Sequence, residues 1–364
     1  MENLKLNETP VRTARNFRIN NIKLENIEVP EVITSFENVT IIGDTSKINI
    51  EQNADNTNTD LVYGLSEELT NQAKHGANQK IKLTINSNQN EKSKAEEKTE
   101  AEIDFKFDDE NAALIDNIEI TANENTKSTV IIKYTSNQEN ESYHNGIIKA
   151  KAKKNSELNI VVVNLMNTKS NNFLAIENDF EENAKINYTI VDFGGKHSIT
   201  NYYSNLQGDG CDNQLNTIYL GKENQVFDLN YIGELRGKKS NIDIEVQGAL
   251  KDTSKKHFKG TIDFKKGCKK ATGNENEACM LLSDTAKSIA LPMLLCSEEE
   301  VEGNHSSSAG KIGEKELFYI MSRGFELKEA MKLMVRARFN QILEKIENEE
   351  LREEILQEID KRLY

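Results

Sequence analysis

The chain has 364 residues, with 46 lysines and arginines against 60 aspartates and glutamates, so its net charge is −14. Binding to phosphate groups requires clustered basic residues, and no basic stripe with interleaved aromatic residues is present. Nucleic acids and anionic membrane surfaces are therefore poor candidates as partners. The length is sufficient for a large core, in several domains or in one elongated domain.

The first 30 residues form a polar extension with few apolar side chains, among them Phe17, Ile19 and Ile22. We expect this extension to contribute at most a short strand that packs on a larger body. It lacks the apolar segment of a secretory signal, and no apolar run long enough to span a membrane follows it. We therefore predict a cytoplasmic protein without a membrane span.

Residues 31–308 have the pattern of β-strands. In "KINYTIVDF", Ile186, Tyr188 and Ile190 alternate with polar residues, as expected for strands with one buried face. Clusters of Asn, Gly, Asp and Lys, such as "QGDGCDN" and "RGKKSN", end these runs. Apolar centres recur at intervals of roughly 12–16 residues, which is shorter than most helical repeats.

Many short strands at even spacing are compatible with a sandwich, a barrel or a β-solenoid. Three features favour the solenoid. The run is long for one sandwich, strong NG or DG hairpin signals do not occur between every pair of strands, and the chain contains only three prolines, which suits long continuous ladders. One charged segment, Asn86 to Glu102, lacks large apolar residues, and we expect it to form a solvated loop.

Residues 309–364 have the pattern of helices. The first helix contains "EKELFYIMSR" and precedes Gly324, and a second helix is predicted over Glu326–Glu347. The apolar stripe of the second helix comprises Leu327, Met331, Met334, Val335, Phe339, Ile342 and Ile346. A last helix has a stripe formed by Leu351, Ile355, Ile359 and Leu363. The pattern alone favours packing of these stripes on each other and on the open end of the β region over docking on another protein.

A glycine and a lysine near the end of the β region first suggest a phosphate-binding loop. In a P-loop, four residues separate the two glycines, and a hydroxyl residue follows the lysine. Here six residues separate Gly303 from Gly310, and Ile312 follows Lys311. The sequence also contains no HExxH or GxSxG motif, so it predicts neither a nucleotide bound by this chain nor an enzyme.

Cysteine and histidine remain as candidate ligands for soft metals or iron–sulfur clusters. The four cysteines lie far apart without a CxxC pair, which favours free thiols over a disulfide framework or a zinc knuckle. Cys279 and Cys296 each lie on an apolar, strand-like run, and His305 follows Cys296 by nine residues. From local sequence alone, each cysteine is more simply a small buried hydrophobic residue and His305 a structural turn residue.

The stretch "LPMLLCSEEEVEGNHSSSAGKIGEKELFYIMSRG", followed by "ELKEAMKLMVRARF", closely resembles the C-terminal signature of the SufB/SufD family. "CMLLSD" and the N-terminal "NETPVRTARNF" also resemble members of this family. These proteins are scaffold subunits of the SUF iron–sulfur cluster assembly system. The resemblance implies a right-handed parallel β-helix followed by a helical domain, in agreement with the strand pattern.

The resemblance also implies partners, namely a SufB-like scaffold subunit and a SufC-like ABC-type ATPase. The family ATPase docks around the "LFY…SRG" helix. The residues that we expect to contact it are therefore Leu317, Phe318, Tyr319, Met321 and Arg323.

His305 matches the family histidine implicated in cluster formation at the interface between two scaffold subunits, where a transient cluster is expected. SufB-type subunits place a glutamate after this histidine, and here Ser306 follows. They also have an essential cysteine at the position of Glu277, whereas Cys279 comes two residues later. The chain therefore looks like SufD, with His305 as the candidate ligand and Cys279 as a less closely matched second one.

Several functions remain open at this point. The chain could be a SufD-like subunit or a standalone scaffold that forms a homodimer with the ATPase. It could also be a metal-free β-solenoid interaction protein. A carbohydrate-active β-solenoid enzyme is a further alternative, but it would call for secretion and for carboxylates clustered on one strand face.

Overall fold

The computed structural model describes residues 2–13, 19–30, 33–44, 46–54, 57–86, 99–137 and 139–363. Phe17 lies outside the described residues, as does most of the predicted loop at Asn86–Glu102. The last four residues of that segment, from Thr99, already belong to a strand.

The secondary structure is mainly β. The N-terminal part contains β1 (Glu2–Leu6), β2 (Ile22–Ile27), β3 (Val39–Gly43), β4 (Ile48–Gln52), α1 (Glu67–Gly76) and β5 (Gln79–Ile85). The main body consists of β6 (Thr99–Phe107), β7 (Ala113–Ala122), β8 (Lys127–Ser136), β9 (Tyr143–Ala152), β10 (Glu157–Leu165), β11 (Asn171–Phe180), β12 (Lys185–Asp192), β13 (His197–Leu206), β14 (Asp212–Gly221), β15 (Val226–Leu235), β16 (Asn241–Leu250), β17 (Lys255–Phe264), β18 (Ala271–Leu281), β19 (Lys287–Cys296) and β20 (Val301–Lys311). The chain continues with α2 (Glu314–Ser322), α3 (Leu327–Leu343) and α4 (Glu349–Leu363).

Successive strands of the main body alternate between two parallel sheets, which is the arrangement of a β-solenoid. One sheet has the order β20-β18-β16-β14-β12-β10-β8-β6-β3, and the other β19-β17-β15-β13-β11-β9-β7-β5-β4. Asn171 pairs with His197, and Lys255 pairs with Lys287, so a full turn takes 26 to 32 residues. The apolar spacing seen in the sequence is therefore half a turn, and the predicted solenoid is confirmed.

The interior is a column of stacked apolar layers. Ile186, Tyr188 and Ile190 of β12 all point into it and are almost fully buried, as the alternation predicted. Aromatic rings continue from layer to layer: Tyr202 lies 5.2 Å from Tyr188, and Tyr231 lies 5.9 Å from Tyr202, both in edge-to-face geometry. Such pairs each add roughly 1 kcal/mol to the stabilisation from area burial.

Asparagines occupy one corner of successive turns. Asn125, Asn155 and Asn183 have φ angles of 55–57°, in the left-handed region that asparagine tolerates better than most residues. The Asn155 amide donates to Asn125, and the Asn183 amide donates to Asn155, each over 3.2 Å. These side chains therefore tie consecutive corners together.

The two ends of the solenoid differ. At the N-terminal end, β3 and β4 are the outermost strands and pair antiparallel with β6 and β5, and Phe36 packs against Phe105 and Phe107. At the other end, β19 and β20 are the outermost strands of their sheets. β20 continues to Lys311, beyond the predicted boundary at residue 308.

The terminal segments pack on the outer faces of the sheets. The β1–β2 hairpin and α1 cover one sheet, where Leu4, Leu6 and Leu69 are buried. Helices α3 and α4 cover the other sheet, where Val335 and Phe339 are buried against strand residues. The expectation that these helices cap the open end is therefore wrong, because they lie along the side of the solenoid. No helix among the described residues is long and apolar enough to cross a membrane.

Arg362 fastens α4 to the solenoid. Its buried guanidinium donates hydrogen bonds to the backbone oxygens of Phe193, Leu165 and Met166. Asp192 lies close to this guanidinium, where burial raises the pKa of its carboxyl to about 7, although Ser198 and Asn164 donate hydrogen bonds that oppose the increase.

We predict that Asp192 makes the stability of the fold depend on pH. The folded state keeps this proton to a higher pH than the unfolded chain, so the stabilisation is complete below about pH 4 and is lost as the pH rises through about 7. Asp192→Asn should remove the contribution of this carboxyl to the decline, which amounts to a few kcal/mol at most. Denaturant unfolding from about pH 4 to pH 8 measures it. The control variant Asp109→Asn changes an exposed carboxylate and should keep the wild-type profile. A decline of stability with pH in Asp192→Asn as large as that of the wild type would contradict the prediction.

Candidate functional site

The open end of the solenoid contains the histidine singled out from the sequence. β20 is an edge strand, and all its residues after Val301 are exposed. It pairs in parallel with β18, with His305 opposite Glu275, Ser307 opposite Glu277 and Ala309 opposite Cys279. Register partners in a parallel pair share a face, so these side chains belong to two successive inner layers.

A buried ion pair lies in the layer beneath β20. The Lys256 ammonium lies 2.6 Å from Oε1 of Glu277, and both side chains are fully buried. The Tyr219 hydroxyl donates to the same oxygen over 3.2 Å, and the Ser307 hydroxyl donates to Oε2 over 2.8 Å. Glu277 therefore has partners on both oxygens, one of them from the edge strand.

Glu275, two residues earlier on the same face, has a different environment. The residue is 2% exposed, and neither carboxyl oxygen has a hydrogen-bond partner. Burial raises the pKa of this carboxyl to about 8, with a further contribution from the Glu277 charge. The carboxyl lies against Gly260 on the opposite sheet, where an added Cβ would meet Oε2 at 2.1 Å. Glycine at that position therefore makes room for the carboxyl group.

The structure does not bring the two candidate ligands together. Cys279 is buried four residues beyond Glu275 on β18, a distance of roughly 13 Å along a strand, and burial raises the pKa of its thiol. Cys296 is exposed at the end of β19. Across the described part of the chain, no group of three or more His, Cys, Asp or Glu side chains has the geometry to hold a metal ion.

A second surface lies on the helices that follow β20. α2 has no buried residue. The apolar patch on α2 and the start of α3 is formed by large side chains that are each 40–74% exposed, namely Phe318, Tyr319, Met321, Phe325, Leu327 and Leu333. The Arg323 guanidinium donates to the Tyr319 hydroxyl over 2.8 Å and lies 5.0 Å from the ring centre. Leu317 is half-buried beside them.

Sequence reasoning missed part of the site at the open end of the solenoid. It treated Glu277 only as the replacement of a cysteine, and it passed over Glu275 and Lys256. The signal was the alternation in "ENEAC", which puts Glu275, Glu277 and Cys279 on one face of a strand. Their inward direction became visible only with the register of the solenoid.

We predict that the buried ion pair is strongly coupled. Lys256→Met should lower the free energy of unfolding by about 3–5 kcal/mol, because it leaves the Glu277 carboxylate buried without its cation. The double variant Lys256→Met/Glu277→Leu should recover most of this loss. Denaturant unfolding measures both, with Lys255→Met at the neighbouring exposed lysine as the control. A double variant that is less stable than Lys256→Met would contradict the prediction.

Comparisons with known proteins agree with this architecture. Residues 105–338 match the family described as SUF system FeS cluster assembly, SufBD core domain. The iron–sulfur cluster assembly protein SufD of Bacillus subtilis is 26% identical over 180 residues, which cover 50% of this chain and 41% of that protein. An iron–sulfur cluster assembly SufBD family protein of Pyrococcus horikoshii is 32% identical over 157 residues, which cover 42% of this chain and 34% of that protein.

SufD of Escherichia coli is 22% identical over 171 residues, which cover 47% of this chain and 40% of that protein. Each of these matches spans less than half of the relative's own length. The family match is broader on this chain, since it extends from β6 through the open end of the solenoid into α3. On that match, the chain belongs to the SufBD family of iron–sulfur cluster assembly proteins.

Proposed function

We propose that this chain is a SufD-like scaffold subunit that pairs through its open solenoid end with a SufB-like subunit. The observation that carries the proposal is the contrast between the two ends. At one end the buried Phe36 packs on Phe105 and Phe107 beside β3 and β4, whereas every residue of β20 after Val301 is exposed and, among the described residues, no strand pairs with its outer edge. An interface there would cover His305.

The likeness to SufD, rather than SufB, rests on the residues near His305. Ser306 follows the histidine, and Glu277 occupies the position of the SufB-type cysteine. Glu277 is held by Lys256, Tyr219 and Ser307, so this position serves an ion pair and offers no thiol. On this proposal, the partner subunit supplies the cysteine, and the iron–sulfur cluster is the transient cargo of the complex.

The proposed partner of the helices is a SufC-like ABC-type ATPase. The exposed patch of α2 and α3 supports this assignment, because several large apolar side chains left exposed on two adjacent helices are typical of a protein-binding site. Only Ile312 and Gly313 separate the end of β20 from α2. Movement of the helices on ATP hydrolysis by the partner would therefore be transmitted to the strand that contains His305. In this scheme the chain itself binds no nucleotide and acts as a cytoplasmic scaffold without its own catalysis.

A homodimer is the second candidate, because the same free edge could pair with a second copy of the chain. Native mass spectrometry after co-expression with a SufB-like subunit separates the two arrangements. We expect a heteromer of one SufB-like and one SufD-like subunit together with the ATPase. A homodimer that persists in the presence of the SufB-like subunit would overturn the heteromer.

We predict that the apolar patch is required for ATPase binding. Phe318→Asp should abolish co-purification of the co-expressed ATPase, because it places a charge at the most exposed apolar residue of the patch, while the solenoid remains folded. Ile42→Asp is the matched control, since Ile42 is 62% exposed at the opposite end of the solenoid. Retention of the ATPase by Phe318→Asp, with thermal melting unchanged, would refute this docking surface.

We predict that His305 acts in cluster formation and is not required to hold the protein complex together. His305→Ala should leave the complex intact but reduce the iron and sulfide that accumulate on it about tenfold or more. Anaerobic reconstitution with iron and sulfide quantification measures this effect. Asn304→Ala, on the opposite face of the same strand, is the control. Normal cluster content in His305→Ala would exclude the role.

A further inference from the structure

The outer face of the last strands contains rows of polar side chains that continue from turn to turn. Even-numbered residues of β20 belong to this face, since Ser307 between them contacts the interior. In one row, Asp243, Asn274 and Asn304 are register partners on β16, β18 and β20. The Asn274 amide donates to Oδ1 of Asp243 over 2.8 Å, and the Asn304 amide donates to Oδ1 of Asn274 over 3.0 Å.

A second row, two residues further along the same strands, has the same direction. The Asn276 amide donates to both carboxyl oxygens of Glu245, over 3.0 and 2.9 Å. The Ser306 hydroxyl in turn donates to Oδ1 of Asn276 over 2.7 Å. Both rows therefore begin at a carboxylate of β16 and end on the edge strand, with every donor directed back towards the carboxylate.

The carboxylates fix this direction. A carboxylate only accepts hydrogen bonds, so the amide above it must turn its N–H groups towards it and its oxygen towards the next strand. Asn304 therefore directs its oxygen to the open edge. Ser306 has a single proton, which Asn276 accepts, so its oxygen can only accept a hydrogen bond from beyond the edge. Asp243 and Glu245 set this polarity from two strands away, roughly 10 Å below the edge.

Negative charge adds to the same effect. Glu302, two residues before Asn304 on the same face, is exposed and contributes a further carboxylate. The corner that precedes β20 contains Glu298–Glu300, of which Glu300 pairs with Lys269 over 3.0 Å. The open edge therefore presents oxygen atoms and negative charge to whatever pairs with it.

We propose that the open edge selects a strand that has side-chain N–H donors (Lys, Arg, Asn or Gln) opposite the acceptor row, which consists of Glu302, Asn304 and Ser306. Each oxygen of the row then accepts a hydrogen bond, and a cationic donor also offsets the carboxylate. The occupant is a strand of a different polypeptide. The inference rests on the proposed pairing of two scaffold subunits through β20, and it adds the chemistry that selects the partner.

A second copy of the chain does not meet this requirement. In antiparallel pairing centred on Asn304, Glu302 of one copy faces Ser306 of the other, and the two Asn304 oxygens oppose each other. Shifts by two or four residues bring Glu302 against Asn304 or against the second Glu302. Acceptors and like charges directly opposite one another destabilise a strand pair. The acceptor row therefore disfavours a homodimer formed through this edge.

The test uses the full chain and, as the donor strand, its double variant Glu302→Lys/Ser306→Lys. Sedimentation equilibrium is measured for the wild type alone, for the variant alone and for an equimolar mixture. Pairing in the mixture should be about tenfold or more tighter than in either sample alone, because lysines of one copy then face acceptors of the other. The control Asp109→Lys/Glu110→Lys gains positive charge away from the edge and should pair with the wild type no more tightly than the wild type pairs with itself.

A second arm tests whether the carboxylates of β16 set the polarity. In Asp243→Asn/Glu245→Gln the amides can adopt either direction, and Ser306 can turn its proton outward. Pairing of this variant with the donor strand should be about threefold to tenfold weaker than that of the wild type, because the row then loses hydrogen bonds that are each worth up to about tenfold in affinity. The control Asp109→Asn/Glu157→Gln removes two carboxylates elsewhere and should change pairing less than about twofold.

Three outcomes would overturn the proposal. They are a mixture that stays monomeric, a wild type that pairs with itself as tightly as with the donor strand, and unchanged pairing in Asp243→Asn/Glu245→Gln. Binding of the SufB-like subunit is measured separately. Its failure, with pairing in the mixture intact, would contradict the proposed function and not the chemistry of the edge. Asn304→Ala keeps Glu302 and Ser306, so it should weaken pairing only about threefold and still assemble for cluster reconstitution.

Discussion

The parallel backbone ladder is the interaction on which the rest of the structure depends. Each strand of the solenoid satisfies its N–H and C=O groups through the turn below and the turn above, in continuous register from β6 to β20. Such a ladder cannot end without leaving one row of backbone groups unpaired. At one end this row belongs to the antiparallel strands β3 and β4, beside which the buried Phe36 packs on Phe105 and Phe107. At the other end it belongs to β19 and β20, and the candidate site lies there.

The interior changes character towards the open end. Through most of the body it is filled with Ile, Leu and aromatic side chains, such as the rings of Tyr188, Tyr202 and Tyr231. In the last two layers, Lys256, Glu277 and Glu275 replace part of this apolar filling. Buried ionisable groups are costly to a fold, and they also occur in earlier turns, where Asp116 contacts His144 and Asp228 contacts Lys259. The group beneath β20 differs because the edge strand itself supplies one of its partners, Ser307.

The class of fold could be predicted from the sequence because strand alternation is a local property. Ile186, Tyr188 and Ile190 show it directly, and the spacing of such runs corresponds to half a turn. The placement of the helices could not be predicted in the same way, although "NIVVVNL" in β10 offered a signal. Both faces of that strand are apolar, and Val161 and Val163 are buried on the outer face under the C-terminal helices.

The site was only partly predictable for a similar reason. Family resemblance identified His305, but its neighbour Glu275 is 30 residues earlier in the chain, and the lengths of the intervening corners set their register. In the same register, Cys279 pairs with Ala309, four residues beyond His305. Local sequence could place each residue on a strand, but the pairing depends on every residue in the turn between them.

The asymmetry between the two ends also affects how the molecule unfolds. In a solenoid, each turn contacts only its neighbours, so stability is close to a sum of nearest-neighbour terms. The turn formed by β19 and β20 has a neighbour on one side only. It therefore opens at a lower free energy than the turns inside the stack, and fraying at this end begins with the strand that contains His305. A subunit that docks on this edge would act as the missing neighbour and make the last turn part of the cooperative unit.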